Sequence, residues 1–174
     1  MKKISTNGLL IALAIVLSYV ERFIPLNLIV PLPGVKLGLA NIVTMFALFY
    51  LGTISAITIT VLRRLLSAVM FGGMSSLLYS LSGALLALLI MKLLMLGYNK
   101  IFSIIGISMG GAAAHNIGQI MMAGLMMKNT AVYAYLPVLL LTGLLTGTLT
   151  ATVSLNLFTI LEKTGSVKYI KTGK

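Results

Sequence analysis

The chain has 174 residues, 59% of them hydrophobic and only 9% charged, whereas a soluble domain carries charge on about a quarter of its positions, so water is excluded as its main solvent. Apolar runs of the ~20 residues needed to cross a ~30 Å hydrocarbon core as helices recur along it, while barrel strands would alternate polarity over about ten residues. The absence of cysteine excludes disulfides and thiolate chemistry, one histidine and two glutamates exclude a protein-only metal site, and the net charge of +11 sits at the ends of apolar runs rather than on the clustered basic face that nucleic acid requires.

Six transmembrane helices are predicted in an all-α, single-domain integral membrane protein of the cell membrane. The first covers residues 5–20; it follows Lys2 and Lys3 as a signal peptide would, but no small-x-small cleavage site closes it, so a retained helix is expected. Glu21 and Arg22 end it, and a loop with Pro25, Pro31, Pro33 and Gly34 follows. The second span, 36–51, is short, ~24 Å at 1.5 Å per residue. Gly52-Thr53 turns the chain into the third, 54–71, and Gly72-Gly73 closes that one. The fourth covers 75–96, the fifth 101–126 after the turn "GYNK", and the sixth 135–161 before a basic tail.

With the N-terminus inside, the inner segments carry Lys2, Lys3, Lys92, Lys100, Lys163, Lys168, Lys171 and Lys174, and the outer ones Arg22, Lys36 and Lys128. Eight against three follows the positive-inside rule and predicts both termini in the cytoplasm. Small residues recur at spacing four: Gly8 and Ala12, Ala14 and Ser18, then Gly106, Gly110, Ala114 and Gly118, then Gly143, Gly147 and Ala151. Such seams let helix backbones approach where lipid supplies no hydrophobic drive between helices. Packing within the bundle accounts for the later seams; for Gly8 and Ala12, packing against another protein stands beside it.

The third span carries an inverted pattern. Thr60, Arg63, Arg64 and Ser67 fall at i, i+3, i+4 and i+7, a polar stripe on an apolar helix. Each arginine near mid-membrane costs roughly 2.5–3.5 kcal/mol on the insertion scale, and Glu21 is the one acid placed to act as a counter-ion. Snorkelling to an interface or a structural pairing with Glu21 is the alternative to a binding role. Asn41 and Thr44 share a face of the second span, with Lys36 in its first turn, where free N–H groups favour an anion. In the fifth span "GGAAAHNIGQ" sets His115 and Gln119 on one face with Asn116 adjacent. Ser75, Tyr79 and Ser82, and Thr142, Thr146 and Thr150, also follow helical spacing, and there helix-to-helix packing is the expected role. Three interior cations with too little protein anion point to a small anionic ligand, a carboxylate or phosphate. Lys36, Asn41, Arg63, Arg64, Tyr79, His115, Asn116 and Gln119 are the candidate lining, with neither a catalytic group nor a cofactor implied.

"PLPGVKLGLANI", the arginines followed by "FGG", "SLSGALLALLIMKLL" and "GGAAAHNIGQ" together resemble the heptaprenyl diphosphate synthase component I, or Gx transporter, family. That family is similar to the six-helix substrate-binding (S) components of energy-coupling factor transporters. The resemblance spans nearly the whole chain. It implies an S-component-like bundle that captures a vitamin-like or isoprenoid- or quinone-related precursor and delivers it while docked on a transmembrane coupling protein driven by two ATPase subunits. Related S components dock through an Ala-x-x-x-Ala pair on the first helix; Gly8 and Ala12 stand there, so the first position departs. The chain has no phosphate-binding ATPase loop, so partners supply the energy. It also contains no aspartate, whereas prenyl chain elongation needs aspartate-rich magnesium sites; no enzyme activity is expected of it alone. A non-catalytic membrane subunit or anchor for prenyl or quinone biosynthesis or electron transfer, and a stand-alone transporter, are the competing functions.

Overall fold

The computed structural model describes residues 2–23, 38–71 and 73–165, so Lys36 and the proline-rich loop before it lie outside the described residues. Among these residues six α-helices and no strand are present. Helix α1 spans Lys2–Val20 and passes into a short 3-10 turn, Glu21–Phe23. Helix α2, Leu39–Phe46, continues as a π-helical turn over Ala47–Leu51. Helices α3 (Thr53–Phe71), α4 (Met74–Met95), α5 (Ile104–Met127) and α6 (Leu136–Lys163) complete the bundle, α6 being entered through a 3-10 segment, Thr130–Tyr135.

Four of these helices are long and apolar enough to cross a membrane: α1, α3, α4, and α6 with its leading turn. The protein is a multi-pass membrane protein. Helix α5 falls outside that set despite its 24 residues, as His115, Asn116 and Gln119 interrupt its apolar run. Helix α2 falls outside it by length, and its position compensates. Its residues from Ile42 to Tyr50 are buried, Phe46 excepted, and α1, α3 and α6 all pack on it. A helix surrounded by protein can be shorter than the bilayer because its backbone ends are not presented to lipid.

The fifth helix begins later than its hydropathy predicts. The carbonyl of Gly97 accepts from the N–H groups of Lys100, Ile101 and Phe102, which ties residues 97–102 into a turn. Ser103 then caps α5, its hydroxyl accepting from the Gly106 N–H at 3.2 Å.

The bundle is glued along glycine seams. On α4 and α5, a Cβ at Gly118 would stand 2.8 Å from the Gly83 Cα, and Ser82 donates its hydroxyl to the Gly118 carbonyl at 3.1 Å. On α5 and α6, a Cβ at Gly147 would stand 3.0 Å from the Met109 Cα, and Ser108 donates to the Gly147 carbonyl at 2.8 Å. Gly8 is different: nothing lies within 4 Å of its missing Cβ, and it and Ala12 face outward with Ile4, Leu9 and Val16. The opposite face of α1, with Ile11 and Ala14, packs inward.

Candidate functional site

The polar stripe of α3 meets the polar face of α2. The hydroxyls of Thr44 and Thr60 lie 3.3 Å apart, and Arg63 donates from a terminal nitrogen to the Asn41 Oδ1 at 3.5 Å. Three residues forward on α2 match three backward on α3, the register of antiparallel helices whose same-face positions recur at this spacing. Arg63 is 3% exposed and so lies inside the bundle; snorkelling does not describe it. Arg64 is half-buried, yet its Nε is inaccessible, as are the Arg63 Nε and the Ser67 hydroxyl. These three atoms have no hydrogen-bond partner among the described residues.

The N-terminus of α2 reaches the same place. Gly38 caps it with φ +79°, a left-handed conformation that glycine adopts without steric cost. A Cβ there would stand 3.2 Å from both the Asn41 Nδ2 and the Thr150 hydroxyl, so α6 also contributes to this corner. The Gly38 N–H donates to the Glu21 Oε1 at 2.6 Å. Glu21 is buried, and its carboxylate acts on both guanidinium groups. The anion at this helix start is thus the protein's own carboxylate, held where the helix dipole favours negative charge.

The polar residues of α5 have other partners. Asn116 donates its amide to the Leu139 carbonyl of α6, which Thr142 also donates to, at 3.0 Å. His115 and Gln119 press on α4: a Cβ at Gly83 would stand 2.6 Å from the His115 carbonyl and 2.7 Å from the Gln119 Cγ. All three are half-buried, as is Tyr79, whose carbonyl accepts from Ser82 at 3.0 Å. Asn41 and Arg63 are therefore brought into direct contact, with Arg64 adjacent in the chain, while the contacts of His115, Asn116 and Gln119 tie α4, α5 and α6 together.

Two features escaped the sequence-level reasoning. One is the bond from Gly38 to Glu21, 17 positions apart in the chain; the glycine just before an apolar helix was the available signal. The other is the end of the bundle at the C-terminus of α6, where Phe46, Phe49, Tyr50, Tyr98 and Phe158 stack edge and face, and Tyr50 donates to the Glu162 Oε1 at 3.1 Å.

A family model described as heptaprenyl diphosphate synthase component I matches residues 10–157, most of the chain. No curated protein and no solved structure gives a significant match.

Proposed function

The chain belongs to the heptaprenyl diphosphate synthase component I family, and from that premise we propose that it is the substrate-binding membrane subunit of an energy-coupling factor type importer. It is a single domain of six spans with both termini in the cytoplasm, and it binds a small anionic compound between α2, α3 and α6. One observation carries this: the Arg63 guanidinium is buried, with its Nε unpartnered among the described residues and a 3.5 Å contact to Asn41. A buried cation left short of acceptors costs far more than one that a ligand completes. Lys36 lies outside the described residues; Tyr79, His115, Asn116 and Gln119 are kept as further candidate contacts on α4 and α5, and Glu21 is the resident counter-ion. The exposed Gly8 and Ala12 on α1 form the docking face for a transmembrane coupling protein with two ATPases, since nothing among the described residues covers them. It is not an enzyme by itself, for the two glutamates are its only carboxylate side chains.

The family's name favours one other role, a non-catalytic membrane partner of a prenyl diphosphate synthase. Purification from its own membranes, followed by native mass spectrometry, separates the two. The importer predicts a retained anionic small molecule and a co-purifying coupling protein with ATPases. A soluble synthase in their place, with no retained anion, would refute it.

A further inference from the structure

The outward face of α6 carries a polar group that neither the anion corner nor the α1 docking face employs. We propose that two copies of this chain pair in the membrane through this face, α6 against α6, with the Asn156 side chains exchanging hydrogen bonds across a two-fold axis. The pairing needs only the membrane-spanning bundle and does not depend on what the protein binds.

Five carboxamide side chains stand on the α-helices of the described residues: Asn7, Asn41, Asn116, Gln119 and Asn156. Four are half-buried, and Asn156 alone is exposed. It makes no hydrogen bond among the described residues. Leu149, Val153 and Ile160, on the same side of α6, are exposed too, so this is the surface that the helix turns to lipid. Five residues, four of them apolar, separate Asn156 from Glu162, which at 1.5 Å per residue sets it about 9 Å inside that charged position. Hydrocarbon offers no hydrogen bond, and a bare amide there is costly. Thr148 and Thr152, on the preceding turns, carry no such burden: their hydroxyls donate to the Leu144 and Thr148 carbonyls of their own helix at 2.8 and 2.9 Å. With Asn156 they form a narrow seam at spacing four, which lets a neighbouring helix approach closely.

The chemistry of the residue selects the partner. A carboxamide holds both donor and acceptor, so a second carboxamide facing it satisfies it reciprocally, with no charge to match. Two copies inserted the same way round are related by a two-fold axis along the membrane normal, an isologous contact. In such a contact α6 runs parallel to its mate, and a residue near the axis meets itself at equal depth. A seam at spacing four crosses right-handed, so the helix ends diverge and Lys163 is carried away from its counterpart. The face is also clear of the other interface. Helix α6 packs on α5 and α2, and α1 packs on α2 and α3, so Gly8 and Ala12 lie on a different helix and stay open to the coupling protein.

The test uses the full chain with Lys100→Cys, an exposed position in the turn before α5, as its single cysteine. Donor- and acceptor-labelled protein is reconstituted together into phosphatidylcholine vesicles, and energy transfer is followed as added lipid dilutes it. Transfer above the level of random encounters is expected, falling with dilution as a dimer dissociates. Asn156→Leu is expected to move the dilution midpoint about tenfold toward higher protein density. Leu89→Ala, at an exposed position on α4, is expected to leave it where it was. Transfer no greater than random encounters, or a midpoint that N156L moves no further than L89A, overturns the pairing. If transfer stays at the random level and N156L instead loses pull-down of the coupling protein from native membranes, the seam belongs to that protein and the second-copy assignment falls.

Discussion

Replacing Arg63 by methionine tests whether the guanidinium is there for the fold or for a guest. Methionine keeps an unbranched apolar stem, omits the guanidinium and so removes the charge. What the fold loses is one contact to Asn41 at 3.5 Å, the outer limit of a hydrogen bond and worth at most about 1 kcal/mol. What it gains is relief from holding a cation in the membrane interior, roughly 2.5–3.5 kcal/mol on the insertion scale. Glu21 keeps the Gly38 N–H as its hydrogen-bond partner. The balance predicts that R63M stabilises the unliganded protein by about 2 kcal/mol, within the ~1–4 kcal/mol seen when buried charges give way to apolar groups. For a chain of this size that is a rise of about 4–8 °C in Tm. Far-UV circular dichroism in detergent measures it, and native mass spectrometry of the same sample is expected to show the retained anion gone. A lower Tm would mean that Arg63 is a structural tie and would refute the functional assignment. Retention of the anion by R63M would move the site elsewhere.

Other outcomes follow from the same contacts. Gly83→Ala thrusts a methyl group to 2.6 Å from the His115 carbonyl, a backbone atom that cannot swing aside, so it is expected to destabilise by about 1–3 kcal/mol in thermal unfolding; a neutral result would mean α4 and α5 are not so closely apposed. Gly8→Trp meets nothing within 4 Å and is expected to leave Tm within about 1 kcal/mol equivalent while abolishing pull-down of the coupling protein; an unchanged pull-down would exclude this face. Tyr50→Phe keeps the ring against Phe46 and Phe158 but loses the bond to Glu162, and a cost of about 0.5–1.5 kcal/mol is expected by the same melting assay.

The helices and the polar stripe of α3 were legible because both are local: apolar run length and the spacing of Thr60, Arg63 and Ser67 are properties of consecutive residues. The matching face of α2 was legible for the same reason, but not that it meets the α3 stripe with Asn41 opposite Arg63. That pairing depends on how two helices approach, which periodicity along one helix does not record. The polar run on α5 shows the converse difficulty. His115, Asn116 and Gln119 read as one constellation, yet Asn116 binds the Leu139 carbonyl of α6 while His115 and Gln119 press against Gly83 of α4. Adjacent positions on a helix point about 100° apart, so neighbours in sequence serve different interfaces.

The π turn at the end of α2 sets how that helix can change length. Its 5-residue loop of hydrogen bonding, seen where the Gly52 N–H reaches the Ala47 carbonyl at 2.9 Å, holds one residue more than an α turn would. Removing a single residue inside 47–51 closes the surplus and keeps both flanks in phase, so Asn41 still points at Arg63. The same excision at Val43 spins the segment before it by about 100° and carries Asn41 away, leaving the guanidinium without its amide neighbour. Anion retention in the first deletion and its loss in the second would mark the bulge as spare thread in the central helix.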